Sequence, residues 1–71
     1  MSESDPGALK IIEITGRSTE SFEAAIQQAV AKAAESIAGI ASVEVLRQTA
    51  DVENGRVSVY NTTVKLSFLV R

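Results

Sequence analysis

The side chains able to do chemistry in this 71-residue chain are few, and they exclude more than they offer. It has no His and no Cys, so the usual ligands of zinc and iron are missing. The hydroxyls, Ser18, Ser21, Ser36, Ser42, Ser58 and Ser67 among them, have no candidate base at motif spacing. Gly16, Gly39 and Gly55 stand too far apart to make a phosphate-cradling loop. An enzyme is therefore not expected. Three polar sets remain. Gln48 and Asn61 carry amides, which can read a flat heterocycle by donating and accepting at once. Glu44 and Lys65 form an opposite-charge pair, and Asp51, Glu53 and Asn54 offer oxygen ligands for a hard cation such as calcium. Each set also has a plain reading: amides that satisfy one another, a cross-strand ion pair, and solvated acids beside a turn. The acids lack the ligand spacing of a calcium loop, so for them the plain reading is the stronger.

Whether these groups meet depends on the segment from Ser42 to Leu69, two strand patterns joined at Asn54-Gly55, a dipeptide suited to a type I′ hairpin turn. Counting back from that turn pairs Glu53 with Arg56, Val52 with Val57, Ala50 with Val59 and Gln48 with Asn61. The count continues with Leu46 opposite Thr63, Glu44 opposite Lys65 and Ser42 opposite Ser67. The other face then carries Val43 with Leu66, Val45 with Val64, Thr49 with Tyr60 and Ala41 with Phe68, a more apolar set.

Upstream, Leu9 to Thr15 is a β-branched strand that Gly16 should break. Ser18 reads as the N-cap of a helix from Thr19 to about Ala38, with its large residues at Phe22, Ile26, Val30, Ala33 and Ile37 and Gly39 as its C′ residue. Residues 1–8 read as a flexible tail and 9–71 as one domain. The expected architecture is α+β: β-α-β-β, a three-stranded antiparallel sheet on one helix, with the last strand in the centre.

A helix of that length spans ~30 Å, against ~46 Å for a strand of ~14 residues. It should cover the face of Val43, Val45, Val64, Leu66 and Phe68. The opposite face, with Leu46, Ala50, Val52, Val57, Val59 and Leu69 around a polar middle, would stay bare. Burial between copies of the chain is the simplest remedy, so a homo-oligomer is expected. A net charge of −2 and a pI near 4.9 argue against a nucleic-acid partner, and no apolar run approaches a membrane span. An acidic, polar start and the lack of disulfides point to a cytoplasmic location.

Gly16, Ser18, Ser21 and Phe22 at the helix entry, the Val43-Glu44-Val45 run, and the alternation of Tyr60, Val64, Leu66 and Phe68 together resemble the dodecins. The resemblance covers residues 9 to 71. It implies a hollow homododecamer holding flavins (FMN, riboflavin or FAD) in pairs at subunit interfaces, for storage rather than catalysis. The flavin would lie among Ser42, Gln48, Asn61, Glu44 and Lys65. Where flavin-binding dodecins carry a stacking Trp this chain has Ser42, and where they carry a ring-reading Gln it has Asn61, one methylene shorter. Reduced flavin affinity is the expected consequence. The resemblance also implies an alternative, since some dodecin-like proteins without the Trp are associated with calcium; Asp51, Glu53 and Glu44 would then be the ligands, or the assembly would be purely structural.

Overall fold

The computed structural model describes residues 7–70, which form β1 (Ala8–Ser18), α1 (Phe22–Ala34), β2 (Ile40–Glu53) and β3 (Arg56–Val70). The sheet order is β1-β3-β2 with both pairings antiparallel, so the last strand is central as expected. Residues 1–6 of the expected tail lie outside the described residues, while Ala8 already pairs with Val70.

Gly16 does not break β1. It sits inside the strand opposite Thr62, and α1 crosses there so closely that a Cβ on Gly16 would lie 2.8 Å from the Ala29 nitrogen and collide with the Ala25 carbonyl oxygen. A residue that looked like a strand terminator is therefore the seat of the helix. The strand runs on to Ser18, which displaces the cap: Ser21, with extended φ −167° and ψ 166°, accepts from the Ala24 N–H at 3.0 Å. Ser18 instead accepts from the Glu20 N–H at 2.9 Å and shapes the connection. Glu35 caps the other end, so Gly39 is not the C′ residue; with φ +76° it leads into β2.

The shorter helix packs on β1 and β3 and barely reaches β2. Its buried line is Ala25, Ala29 and Ala33, with the larger Phe22, Ile26 and Val30 only half-buried at the margins. Small residues win the seam because the approach over Gly16 leaves no room for large ones. With Val64 and Leu66 they form the core, flanked by Ile12, Ile14 and Ile40. Val43 and Val45, expected beneath the helix, remain 43% and 46% exposed.

The turn is as expected, with positive φ at Asn54 (53°) and Gly55 (76°). Glu53–Arg56, Val52–Val57, Val45–Val64, Val43–Leu66, Glu44–Lys65 and Ser42–Ser67 all pair as counted. The middle does not. Ser58 is an extra residue on β3, its hydroxyl donating to the Asp51 carbonyl at 3.3 Å, and Leu46 is an extra residue on β2. Between those bulges Asp51 faces Val59, Ala50 faces Tyr60, Thr49 faces Asn61, Gln48 faces Thr62 and Arg47 faces Thr63. The expected pairs Ala50–Val59, Gln48–Asn61, Leu46–Thr63 and Thr49–Tyr60 are thus replaced. At a third irregularity Ile40, not Ala41, meets Phe68.

The result is a slab of 59 × 21 × 13 Å with a radius of gyration of 15.3 Å. A closed globule of this length would have ~11 Å. One chain encloses only a small core of its own.

Candidate functional site

β3 sends alternate residues to opposite faces. Thr62, Val64 and Leu66 go under the helix, and Asn61, Thr63, Lys65 and Ser67 go to the side that no element of the chain covers. Following the register across all three strands, that bare face is built in rows. Ile11, Ser67 and Ser42 make one, Glu13, Lys65 and Glu44 the next, then Thr15, Thr63 and Arg47, and finally Arg17, Asn61 and Thr49. Leu9 and Leu69 close one end with exposed apolar side chains. The apolar rim is smaller than the sequence suggested, because the bulges turn Ala50 away with Tyr60 and put Asp51 in its place beside Val59.

Along the middle of the face runs a strip of small polar groups. The Ser42 and Ser67 hydroxyls hydrogen-bond to each other, as do those of Thr15 and Thr63 at 2.7 Å. Thr63 and Ser67 are only 7% and 6% exposed, on the central strand with β1 and β2 on either side. Ser42, which occupies the expected stacking position, offers a hydroxyl and no surface for a ring to lie on.

Asn61 is the centre of a polar ring that the sequence did not reveal. Its Oδ1 accepts from Arg17 Nε at 2.9 Å, its Nδ2 donates to Asp51 Oδ1 at 3.0 Å, and Arg17 Nη2 reaches Asp51 Oδ2 at 2.6 Å. The ring ties β1, β3 and β2 together. Arg17 also lines a cleft of about 450 Å³ at the β1 edge, shared with Ser18, Glu20, Gln28 and Val59. The signal for Arg17 was available in principle: with β1 continued through Gly16, antiparallel counting from Ile12–Leu66 brings Arg17 opposite Asn61.

Of the five residues expected at a ligand, four share the bare face: Ser42, Glu44, Asn61 and Lys65. Gln48 does not, because it pairs with Thr62 on the helix side of the sheet. Glu44 stands opposite Lys65, yet the ion pairs among the described residues are Arg17–Asp51 and Lys32–Glu35. Lys65 lies instead between two carboxylates, Glu13 and Glu44, in register on either side. The acids weighed for calcium do not converge: among the described residues no three Asp or Glu side chains group to hold a cation, and Asp51 is engaged by Arg17 and Asn61. No helix of the described residues is long and apolar enough to cross a membrane.

A family model described as Dodecin matches residues 8–71. Among solved structures, the dodecin of Streptomyces coelicolor superposes with a TM-score of 0.91 at 22% identity, over 94% of this chain and 96% of that one. A single-residue variant of the Thermus thermophilus dodecin gives 0.86 at 28% identity, over 90% and 96%. A calcium dodecin from Mycobacterium tuberculosis, described as a calcium-chelating immunodominant antigen with a novel calcium-binding site, gives 0.80 at 32% identity, over 92% and 93%. No curated protein matches the chain.

Proposed function

The chain belongs to the dodecin family, and on that premise we propose that it is a flavin-sequestering protein, a hollow homododecamer that holds FMN, riboflavin or a similar flavin without transforming it. Dodecins are small homo-oligomeric binding proteins. The observation that carries the reading is the bare face itself. An amide at Asn61 and paired hydroxyls at Ser42, Ser67, Thr15 and Thr63 lie beside apolar Ile11 and Leu9, on a slab too thin to stand alone. A flat ring system with one polar edge suits such a strip, sandwiched where two copies meet. Ser42 gives that ring no aromatic partner, so binding is weaker than stacking would allow. Base–aromatic stacking contributes ~1–3 kcal/mol, and its loss corresponds to roughly 5–150-fold in affinity.

Titrating riboflavin or FMN with the protein tests this through flavin fluorescence. Saturable quenching is expected, and no quenching up to high micromolar protein rejects flavin binding. Light scattering at micromolar concentration should give a multiple of the chain mass near twelve; a monomeric mass would refute the assembly.

A second reading is favoured by the calcium dodecin at 32% identity. Since three acids do not meet within the described residues of one chain, calcium would need carboxylates from more than one subunit, with Glu13 and Glu44 on the bare face and Asp51 and Glu53 near the hairpin tip as donors. Calorimetry on chelator-treated protein decides: absence of heat on adding calcium rules this reading out.

A further inference from the structure

We propose that Arg17 is a positioning residue for ligand recognition: clamped with Asp51, it holds the Asn61 amide in one orientation and so decides which ligand edge that amide can read. The inference rests on the bare face being where the ligand lies.

An amide has two N–H donors and two acceptor lone pairs. The ring uses one of each, Oδ1 toward Arg17 Nε at 2.9 Å and Nδ2 toward Asp51 Oδ1 at 3.0 Å. One N–H and one lone pair remain for a ligand, and the clamp fixes which side of the amide carries each. A ligand that offers both a carbonyl and an N–H, as the cyclic imide at the pyrimidine edge of a flavin does, can meet either group. A flipped amide would exchange the two sides. Arg17 bonds through Nε and Nη2, one fork of its guanidinium, so its hold on Asn61 is fixed by its hold on Asp51. Asn61 is short, and Arg17 supplies the rigidity that it lacks. At 61% exposure the Arg17 side chain is not there to fill a core.

A brace across three strands is the competing role, and two measurements separate it. The first is riboflavin affinity in wild type, Arg17→Ala, Asn61→Ala and the double variant, each checked for its assembly mass. Losing the fixed amide orientation forfeits about one ordinary hydrogen bond to the ligand, which predicts that Arg17→Ala weakens binding about fivefold to tenfold. In the Asn61→Ala background the same change should have no further effect. Unchanged affinity in Arg17→Ala, or an equal loss with Asn61 already gone, overturns the proposal. The second measurement is the side-chain amide spectrum of protein labelled with 15N-Asn. The sequence has only two Asn, at 54 and 61, so two NH2 pairs are expected. In wild type one pair should be well dispersed and slow to exchange with solvent, and in Arg17→Ala it should move to the position of a free amide. If wild type quenches no riboflavin, the flavin reading falls and the ligand half of this inference with it. If the two spectra coincide, the clamp itself is refuted whatever the titration shows.

Discussion

Gly16→Ala should be the most damaging single methyl in the described chain. The added Cβ would lie 2.8 Å from the Ala29 nitrogen and 2.9 Å from the Ala25 carbonyl carbon, and would collide with the Ala25 oxygen, all of them helix backbone. No rotamer change relieves a clash with backbone. Ordinary contact needs at least 3.4 Å, so the helix must retreat by about 0.6 Å to clear Ala29 alone, and by more to clear Ala25. A gap of ~0.5–1 Å forfeits a quarter to a half of the dispersion energy across it. The seam affected is the whole core, Ala25, Ala29 and Ala33 against Val64 and Leu66. The 3.2 Å bond from Thr62 Oγ1 to the Phe22 carbonyl, which pins the start of the helix to β3, would be stretched as well. Overpacking costs ~1–3 kcal/mol and occasionally more; with the core this small we expect the upper figure, about 3 kcal/mol. For a domain of this size that lowers Tm by about 12–24 °C, at ~4–8 °C per kcal/mol. Thermal unfolding followed by circular dichroism at fixed protein concentration measures it. Gly39→Ala is the control: its φ of +76° disfavours a side chain, but nothing lies within 4 Å of the new methyl. It should cost only ~1–2 kcal/mol. A Gly16→Ala protein that melts no lower than Gly39→Ala would refute the close-approach argument.

The helix cap gives a second comparison. Ser21→Ala should lose ~1 kcal/mol, whereas Ser18→Ala should melt closer to wild type because Ser18 receives only the Glu20 N–H of the preceding turn; the reverse order would return the cap to Ser18. Ser42→Trp should tighten riboflavin by roughly 5–150-fold, from a stacking contribution of ~1–3 kcal/mol. Unchanged affinity in that titration would mean that more of the face than one side chain has departed from the flavin-binding pattern.

What could be read in advance were the features set by local chemistry. Asn54-Gly55 takes positive φ at both positions and fixes the hairpin, and the strand order follows from antiparallel pairing around one helix. The features that escaped are those that depend on two elements meeting. Ser18 and Ser21 are equivalent as cap residues until β1 is known to extend to Ser18, and β1 extends because Gly16 serves the helix rather than ending the strand. The alanine seam was hidden for the same reason: a stripe of large apolar residues is the usual sign of a buried face. Here the large residues are the flanks, since the helix sits too low for them. Val43 and Val45 looked like core because their strand partners Val64 and Leu66 are core, yet a helix of 13 residues lies over β1 and β3 and leaves β2 outside.

The bulges are the least legible feature and the one on which the site depends most. Ser58 adds a residue to β3 and Leu46 adds one to β2, so the two offsets cancel and the pairs on either side match a regular hairpin. Sequence counting checked at Glu53–Arg56 and again at Glu44–Lys65 finds no error. Between the two bulges Arg47 to Asp51 change face, because a slip of one residue inverts the alternation. A regular hairpin would send Gln48 and Ala50 to the bare face, and Arg47, Thr49 and Asp51 to the helix side. The bulged one does the opposite. Asp51 then lies diagonal to Asn61, within reach of its amide, and Arg17 can close the ring from β1. Without the bulges Asn61 would face Gln48, an amide that could satisfy it but could not fix its orientation with a charge. Two extra residues on opposite strands thus replace an amide pair with an ion-pair clamp, on the face where the chain most needs a defined ligand edge.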